Sequence, residues 1–275
     1  MNKKAGPFFY LFLAVFVFLV MFPFLWMLAS SIKPIGELFG AHAFNPFTSN
    51  PTLSNYESVF TNYPFGKYLW NSFVVASITT IYTVFVASFA AYAIARLKFK
   101  GKTIILGLVL SVSMFPQIAT ISPIYIFLKN LGLTNSYLGL IIPYTTFTLP
   151  LSIWILVTFF RKIPSDLEEA AKMDGATLMQ TFWRVIFPLA VPGIFTTAIL
   201  VFIAAWNEFL FALTINTDDA YKTVPVGIAM FEGQFTIPWG EITAATVIVT
   251  VPLVIMVLLF QRRIVSGLTS GAVKE

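Results

Sequence analysis

Apolar runs long enough to cross a bilayer constrain this chain more than any other feature of its sequence. The first run, residues 8–28, contains no charged residue, and a helix needs about 20 apolar residues to cross the hydrocarbon core. Similar runs follow at about 69–95, 103–128, 137–160, 193–214 and 241–260. The sequence therefore predicts an all-α integral membrane protein with six transmembrane helices.

The composition agrees with a polytopic membrane protein and excludes several kinds of chemistry. Hydrophobic residues make up 58% of the 275 residues and charged residues only 11%, which is far from the composition of a soluble domain. No cysteine is present, so disulfides, thiolate metal sites and cysteine catalysis are excluded. The single histidine, His42, lies in a predicted loop, so we expect no metal site, no cofactor and no serine–histidine–acid set.

The cations fall mainly on one side of the predicted membrane. Six spans place both termini on the same side, and that side holds 13 of the 17 lysines and arginines. The other side holds only Lys33, Lys67, Lys129 and Lys222. Because positively charged loops stay in the cytoplasm, we expect both termini to be cytoplasmic. The membrane is expected to be a cytoplasmic membrane of the bacterial type. The net charge of +5 then reflects topology, and no nucleic-acid partner is expected.

A charged segment between the fourth and fifth runs predicts a helical hairpin. Ser165 and Glu168 have the spacing of a capping box, in which each side chain bonds a free amide of the first turn. Asp174-Gly175 is expected to end that helix, since glycine adopts the left-handed conformation of a helix C-terminus at little cost. We call residues 165–187 the acidic hairpin.

The second helix of the acidic hairpin is predicted from Thr177, where Gln180 repeats the capping-box spacing. An apolar run over 182–187 continues it, and Pro188 is expected to stop it. A hairpin lying on the membrane is one interpretation. Acidic side chains at a face where lipids are usually anionic instead favour a basic protein partner.

The chain resembles the permease subunits of binding-protein-dependent ATP-binding-cassette importers. Their EAA loop is similar to the pattern formed here by Glu169-Ala170-Ala171, Asp174-Gly175-Ala176, Phe182, Pro188-Leu189 and Pro192. Three further segments resemble the carbohydrate branch of this family, in particular the partner-subunit type of maltose-like systems. They are Trp206-Asn207-Glu208-Phe209, residues 222–227 and the tail 267–274.

This resemblance implies a fold, a function and partners. The fold is that of the type I ABC importer permeases, and the function is sugar uptake without enzymatic activity in this chain. The partners are a second homologous permease subunit, two cytoplasmic ATPase subunits, an extracytoplasmic sugar-binding protein, the carbohydrate and membrane lipid. The residues that couple to the ATPase are expected to be Glu169, Ala170, Ala171, Asp174, Gly175 and Ala176.

Polar residues within the predicted spans are candidates for a cavity or gate. Glu208 is the only carboxylate well inside a predicted span, where a charge costs about 2.5–3.5 kcal/mol on insertion scales. Glu208 and Asn207 either face a cavity or hold neighbouring helices together, and the sequence leaves both interpretations open. Gln117, Tyr144 and Thr145 lie near prolines in the third and fourth spans, and they suit either sugar recognition or helix association.

Two polar segments are expected outside the membrane. Residues 32–67 predict a loop with a short helix at about 53–60. Residues 215–240 form a loop that, by the resemblance, contacts the binding protein, although a plain solvated loop is the alternative. Its candidate contact residues are Asp218, Asp219, Glu232, Gly233 and Gln234.

The organisation expected is a single permease domain over 1–275. It comprises the first span and loop (1–68), a five-span core that contains the acidic hairpin (69–262) and a tail (263–275). The alternative function is a secondary transporter or channel that works without ATP. That class usually has an inverted repeat and ionisable groups at the membrane midplane, whereas this chain shows no recognisable repeat. ATP hydrolysis by this chain is not expected, because Gly101-Lys102-Thr103 lacks the first glycine of a phosphate loop.

Overall fold

A computed structural model describes residues 6–40, 43–231 and 237–269, with side chains described as far as residue 261. The regular structure of these residues is helical. The helices, in chain order, are α1 (Pro7–Ser31), α2 (Ser54–Thr61), α3 (Phe65–Arg96), α4 (Lys102–Val112), α5 (Gln117–Asn130), α6 (Tyr137–Lys162), α7 (Asp166–Met173), α8 (Leu178–Thr181), α9 (Phe187–Trp206), α10 (Leu210–Ile215), α11 (Val224–Ala229) and α12 (Trp239–Thr269). A 3₁₀ turn at Ile35–Glu37 and a π-helical turn at Phe182–Ile186 complete them.

Five helical segments among the described residues are long and apolar enough to cross a membrane. Helices α4 and α5 together pass the same test, but they are bent by 89° at the break between them. Counting that pair as one broken span gives the predicted six. Pro116 precedes α5 and cannot donate the amide that a continuous helix would need.

The chain divides into two compact units. The first comprises residues 1–66 and 227–252, and the second comprises residues 67–226 and 253–275. The prediction of a single permease domain remains a prediction.

In the first unit, a buried lysine organises the chain after α1. Lys33 is 1% exposed, and its Nζ donates to the carbonyl of Asn45 at 2.5 Å and lies 5.2 Å from the ring centre of Trp26. Asn55 of α2 donates to the carbonyls of Ser31 and Lys33 at 2.9 and 2.8 Å. Buried polar groups need such partners, and these contacts hold the end of α1 against Asn45 and α2.

In the second unit, α6 and α9 pack closely. A Cβ atom built on Gly193 of α9 would lie 2.3 Å from Cγ of Phe159 on α6. Small residues allow helix backbones to approach in this way in membrane proteins. The core around this contact is apolar, and it joins α3, α6, the π-helical turn and α9 through Ala87, Ala91, Tyr92, Ile94, Ile153, Leu156, Val157, Phe160, Phe182, Ile186 and Ala190.

The structure corrects the predicted end of the acidic hairpin. The helix does not stop at Pro188 but runs on as one apolar segment from Leu178 to Trp206. Pro188 lies in the first turn of α9, directly after the π-helical turn, and proline is tolerated in a first turn because its missing amide is not needed there. The fifth span therefore begins earlier than the predicted residue 193 and ends earlier than 214.

Two other segments begin within two residues of their predicted starts. Helix α12 begins at Trp239 and continues to Thr269, beyond the predicted 241–260. The short helix predicted at 53–60 is confirmed as α2.

Candidate functional site

The corner of the acidic hairpin is a glycine in the left-handed conformation. Gly175 has φ = +80°, its amide donates to the carbonyl of Lys172 at 3.0 Å, and the amide of Ala176 donates to the carbonyl of Ala171 at 2.9 Å. These two bonds form a Schellman motif, which satisfies the last carbonyls of a helix. The predicted role of Gly175 as the helix end is confirmed.

The second helix of the acidic hairpin begins with the predicted capping box. The amide of Gln180 donates to Oγ1 of Thr177 at 3.3 Å, and the amide of Thr177 donates to Oε1 of Gln180 at 2.8 Å. Both ends of the corner are therefore fixed by hydrogen bonds from residues only a few positions away.

The predicted capping box at Ser165 is wrong. Ser165 has a helical backbone and no capping bond from its side chain, whereas Glu168 turns inward and is 8% exposed. Oε1 of Glu168 lies 3.1 Å from Nε of Arg96 at the end of α3, as an ion pair rather than an aligned hydrogen bond. The attraction of a buried cation explains why Glu168 does not reach back to the first turn.

The residues predicted to couple to a partner lie on the outside of the corner. Glu169, Ala170, Asp174 and Gly175 are exposed, and Ala171 and Ala176 are half-buried. Met173 at the end of α7 is 83% exposed. The outer surface of the corner therefore presents carboxylates, small residues and the apolar side chain of Met173.

An aromatic anchor connects the acidic hairpin to two long helices. Phe182 is 1% exposed, and its ring centre lies 5.0 Å from that of Phe89 and 5.1 Å from that of Tyr92, both on α3. The ring of Phe160 on α6 meets it edge-on at 6.5 Å. Phe182 therefore packs the acidic hairpin against both α3 and α6.

An open groove of about 640 Å³ lies beside α3, α4 and α6 in the second unit. Thr145, Thr146 and Tyr82 are the side chains that bring polar atoms to its otherwise apolar lining. Oγ1 of Thr145 is buried and has no hydrogen-bond partner. Of the predicted cavity residues, Thr145 lies here. Gln117 is exposed at the start of α5 and does not line this groove.

The structure brings two other cavity candidates together. The hydroxyl of Tyr144, which is 2% exposed, interacts with the carboxylate of Glu208, although the two are not aligned as a regular hydrogen bond. Both oxygens of Glu208 accept backbone amides at the start of α10, from Phe211 at 2.9 Å and Ala212 at 3.2 Å. A carboxylate at a helix N-terminus is favoured by the helix dipole, and this favours the structural interpretation of Glu208.

Asn207 lies beside Glu208 but faces away from the interior. It is exposed, and its side-chain amide donates to the carbonyl of Ile203 at 2.8 Å. The structure therefore gives it a local contact at the end of α9.

The loop after α10 is held by buried side chains. Asn71 on α3 is fully buried and donates to the carbonyls of Ala220 and Lys222 at 3.0 and 2.9 Å. Asn216 donates to the carbonyl of Tyr221 at 3.2 Å. Residues 216–223 thus have a defined conformation.

The predicted contact residues in this loop differ in their surroundings. Asp218 is exposed, and its Oδ1 accepts the amide of Ala220 at 2.8 Å. Asp219 accepts a hydrogen bond of 2.5 Å from Nζ of Lys222, and the hydroxyl of Tyr68 lies 3.4 Å away. The hydrogen bond from Lys222 lowers the pKa of Asp219 below its ordinary value. Glu232, Gly233 and Gln234 lie outside the described residues.

No group of histidine, cysteine, aspartate and glutamate that could hold a metal ion occurs among residues 6–40, 43–231 and 237–269.

The helices, the broken span and the projecting acidic corner define a polytopic membrane permease. The family model described as the binding-protein-dependent transport system inner membrane component matches residues 83–270. The chain belongs to this family. Family membership confirms the prediction of a permease rather than an enzyme, with ATP hydrolysis on a separate subunit.

Relatives match over nearly the whole chain. The trehalose/maltose transport system permease protein MalG of Thermococcus litoralis is 48% identical over 258 residues, which cover 92% of this chain and 91% of the relative. The trehalose transport system permease protein SugB of Mycobacterium tuberculosis is 47% identical over 254 residues, which cover 92% of each.

A solved structure supports the fold. A chain of a bacterial ABC transporter involved in the import of the acidic polysaccharide alginate has a TM-score of 0.79 and 20% identity, and the match covers 95% of this chain and 99% of that chain. The same kind of transporter, in complex with an alginate pentasaccharide-bound periplasmic protein, gives a TM-score of 0.67 at 17% identity, with 94% of each chain covered. The predicted all-α fold of the type I ABC importer permeases is confirmed.

Sequence reasoning missed the partner of Glu168. Arg96 is one of the 13 lysines and arginines on the side of the termini, and no short-range pattern links residues 96 and 168. A signal was nevertheless present, because an arginine that ends an apolar span lies near the membrane boundary, where it needs an anion or a carbonyl as partner.

Proposed function

We propose that this chain is the permease subunit of a sugar-uptake ABC importer that moves substrate when ATPase subunits displace its acidic hairpin. The proposal rests on one observation, which is that the two sides of the acidic hairpin differ. Its exposed surface presents Glu169, Met173 and Asp174, while its inner side is packed against α3 and α6 through Phe182. A hairpin with these two sides can be displaced by a partner and can transmit that displacement to α3 and α6.

The proposed assembly contains one copy of this chain, a second homologous permease subunit, two cytoplasmic ATPase subunits and an extracytoplasmic sugar-binding protein. The names of the relatives, which are trehalose and maltose permeases, support a sugar as substrate. The distribution of lysines and arginines supports cytoplasmic termini and a cytoplasmic hairpin in the cell membrane.

The hairpin is proposed to act as a rigid lever. Closure of the ATPases moves the exposed acidic surface, and Gly175 keeps the corner narrow enough to enter a groove. Glu169 and Asp174 pair with cations of that groove, since opposite charges orient a protein contact. Ala170, Ala171 and Ala176 set how closely the partner approaches. The spans then alternate between inward-facing and outward-facing arrangements.

The substrate-facing parts are proposed to lie at the opposite end of the permease. The loop 215–240, with Asp218 and Asp219 in its first part, is the proposed contact with the binding protein. Its first part is already fixed by Asn71 and Asn216, so docking there costs little ordering entropy. Thr145 beside the groove is the proposed polar residue on the path within the membrane.

Co-purification and reconstitution test this proposal. We expect the chain to be isolated with a cytoplasmic ATPase and a second permease, and to take up sugar into proteoliposomes only with ATP and the binding protein. Asp174→Arg should prevent the ATPase from binding, whereas Glu57→Arg, at an exposed acid on α2, should not. Uptake that continues without any ATPase would instead establish a secondary transporter.

A further inference from the structure

Arg96 lies where three elements of the second unit meet. It is the last residue of α3, and its guanidinium donates to the carbonyl of Ile163, the residue that follows α6. Its Nε lies 3.1 Å from Oε1 of Glu168 on α7. One side chain therefore joins the ends of two spans to the first helix of the acidic hairpin.

The pair is shielded from water. The side chains of Arg96 and Glu168 are 10% and 11% exposed, while the neighbouring Glu169 is exposed. Charges in such surroundings interact more strongly than surface pairs, and breaking one leaves an uncompensated buried charge. The two adjacent glutamates thus have different environments, one turned to the spans and one turned outward.

Helix α7 depends on such contacts for its orientation. It has eight residues, and isolated helices of this length are not stable in water. Its first turn also lacks a side-chain cap from Ser165. Phe182 anchors the other end of the acidic hairpin, and the ion pair is a polar contact that joins α7 to the end of α3.

We propose that the Arg96–Glu168 ion pair is a positioning element that fixes the acidic hairpin to α3 and α6, so that its displacement moves both spans together. This inference rests on the proposed function, because only a hairpin that is driven by a partner has a displacement to transmit. Glu168 does not contact the ATPase in this mechanism. It holds the surface that does.

The test uses the complete importer, reconstituted with its ATPase, partner permease and binding protein. Glu168→Gln keeps the size of the side chain and an acceptor oxygen but removes the charge. We expect the importer to assemble in normal amounts and to hydrolyse several-fold more ATP per sugar taken up. Lys100→Gln removes an exposed cation close to Arg96 in the sequence and should leave this ratio unchanged.

A distance measurement separates positioning from a general loss of structure. The chain contains no cysteine, so Lys98→Cys and Lys172→Cys allow two spin labels to be placed in the assembled importer, one after α3 and one on α7. We expect a narrow distance distribution in the parent protein and a broader one with Glu168→Gln. Arg96→Lys, which keeps the charge but cannot hold both partners, should give an intermediate breadth.

The outcomes distinguish this inference from the proposed function. If the unaltered importer shows no ATP-dependent uptake, the proposed function fails. If it transports normally but Glu168→Gln leaves either the ATP-to-sugar ratio or the distance distribution unchanged, the positioning role is wrong. If the Glu168→Gln importer does not assemble, the ATP-to-sugar ratio and the distance distribution of Arg96→Lys test the positioning role instead.

Discussion

The hydroxyl of Tyr137 donates a hydrogen bond of 2.8 Å to Oδ1 of Asn71, a residue that is fully buried. Since the side-chain nitrogen of Asn71 donates to the carbonyls of Ala220 and Lys222, one residue on α3 holds both the start of α6 and the loop 216–223. The side-chain amide of Asn71 therefore connects α3, the start of α6 and the loop 216–223, which are distant from one another in the sequence.

Removal of this amide should destabilise the protein. Asn71→Ala breaks three hydrogen bonds, and at a net value of about 1 kcal/mol each we expect a loss of about 3 kcal/mol in the free energy of unfolding. Thermal unfolding of the purified permease measures the change. Asn130→Ala, at an exposed site at the end of α5, should change stability by less than about 0.5 kcal/mol. Equal effects of the two variants would contradict the role of Asn71.

Gly175→Leu should strain the corner of the acidic hairpin. Nothing lies within 4 Å of the added Cβ, so the cost is conformational, about 1–2 kcal/mol for a left-handed residue with a side chain. We expect the protein to insert in the membrane while ATP hydrolysis is uncoupled from uptake in the reconstituted importer. Gly107→Leu, where space is also open, serves as the control. Normal uptake with Gly175→Leu would count against the coupling role.

Gly193→Ala should separate α9 from α6. The added Cβ would lie 2.3 Å from Cγ of Phe159, and overpacking of this kind typically costs about 1–3 kcal/mol. The measurement is again thermal unfolding, with Gly107→Ala on the surface of α4 as the matched control. An unchanged unfolding temperature would mean that the two helices are not in close contact.

Substitutions of Glu208 distinguish a structural role from a gate. Glu208→Ala leaves two amides of α10 without their acceptor, at about 1–3 kcal/mol for each unsatisfied group, whereas Glu208→Gln retains one acceptor. We therefore expect Glu208→Ala to lower the unfolding temperature more than Glu208→Gln does. The Glu208→Gln variant should preserve most of the sugar uptake. A Gln variant that is stable but inactive would show that the charge itself serves transport.

The Asp219–Lys222 pair predicts a dependence of stability on pH. The hydrogen bond from Lys222 lowers the pKa of Asp219 from its ordinary value of 3.8. A lowered pKa in the folded state means that the pair stabilises the protein above that ordinary value, and that the gain disappears as the pH falls through the lowered pKa. Asp219→Asn should be less stable than the parent at neutral pH, and the difference should close in acid. If the difference in stability between Asp219→Asn and the parent persists unchanged in acid, the predicted role of the Asp219–Lys222 pair is wrong.

The sequence predicts the first span and the corner well because their causes are local. The apolar run 8–28 is long enough to cross a membrane by itself, and Asp174-Gly175 ends α7 by a backbone preference that needs no distant contact. The capping box of Thr177 and Gln180 is equally local. These features appear in the structure as predicted.

The features that were not predicted depend on contacts between distant residues. Glu168 could bond its own helix terminus or another partner, and only the fold brings Arg96 near enough to decide. Similarly, Pro188 ends a helix in most contexts, but here it lies in the first turn of α9, directly after a π-helical turn. Glu208 looked like a candidate gate because its amide partners belong to α10, a helix too short to be recognised from periodicity.

The π-helical turn at Phe182–Ile186 changes how the faces of the fifth span must be read. Such a turn holds one residue more than an α-helical turn, and one residue corresponds to a rotation of about 100° around the axis. A helical wheel drawn without interruption from residue 178 to 206 therefore assigns lipid-facing and interior positions correctly on only one side of this turn. Variants designed on either side need separate wheels, with the phase reset at the phenylalanine that anchors the hairpin.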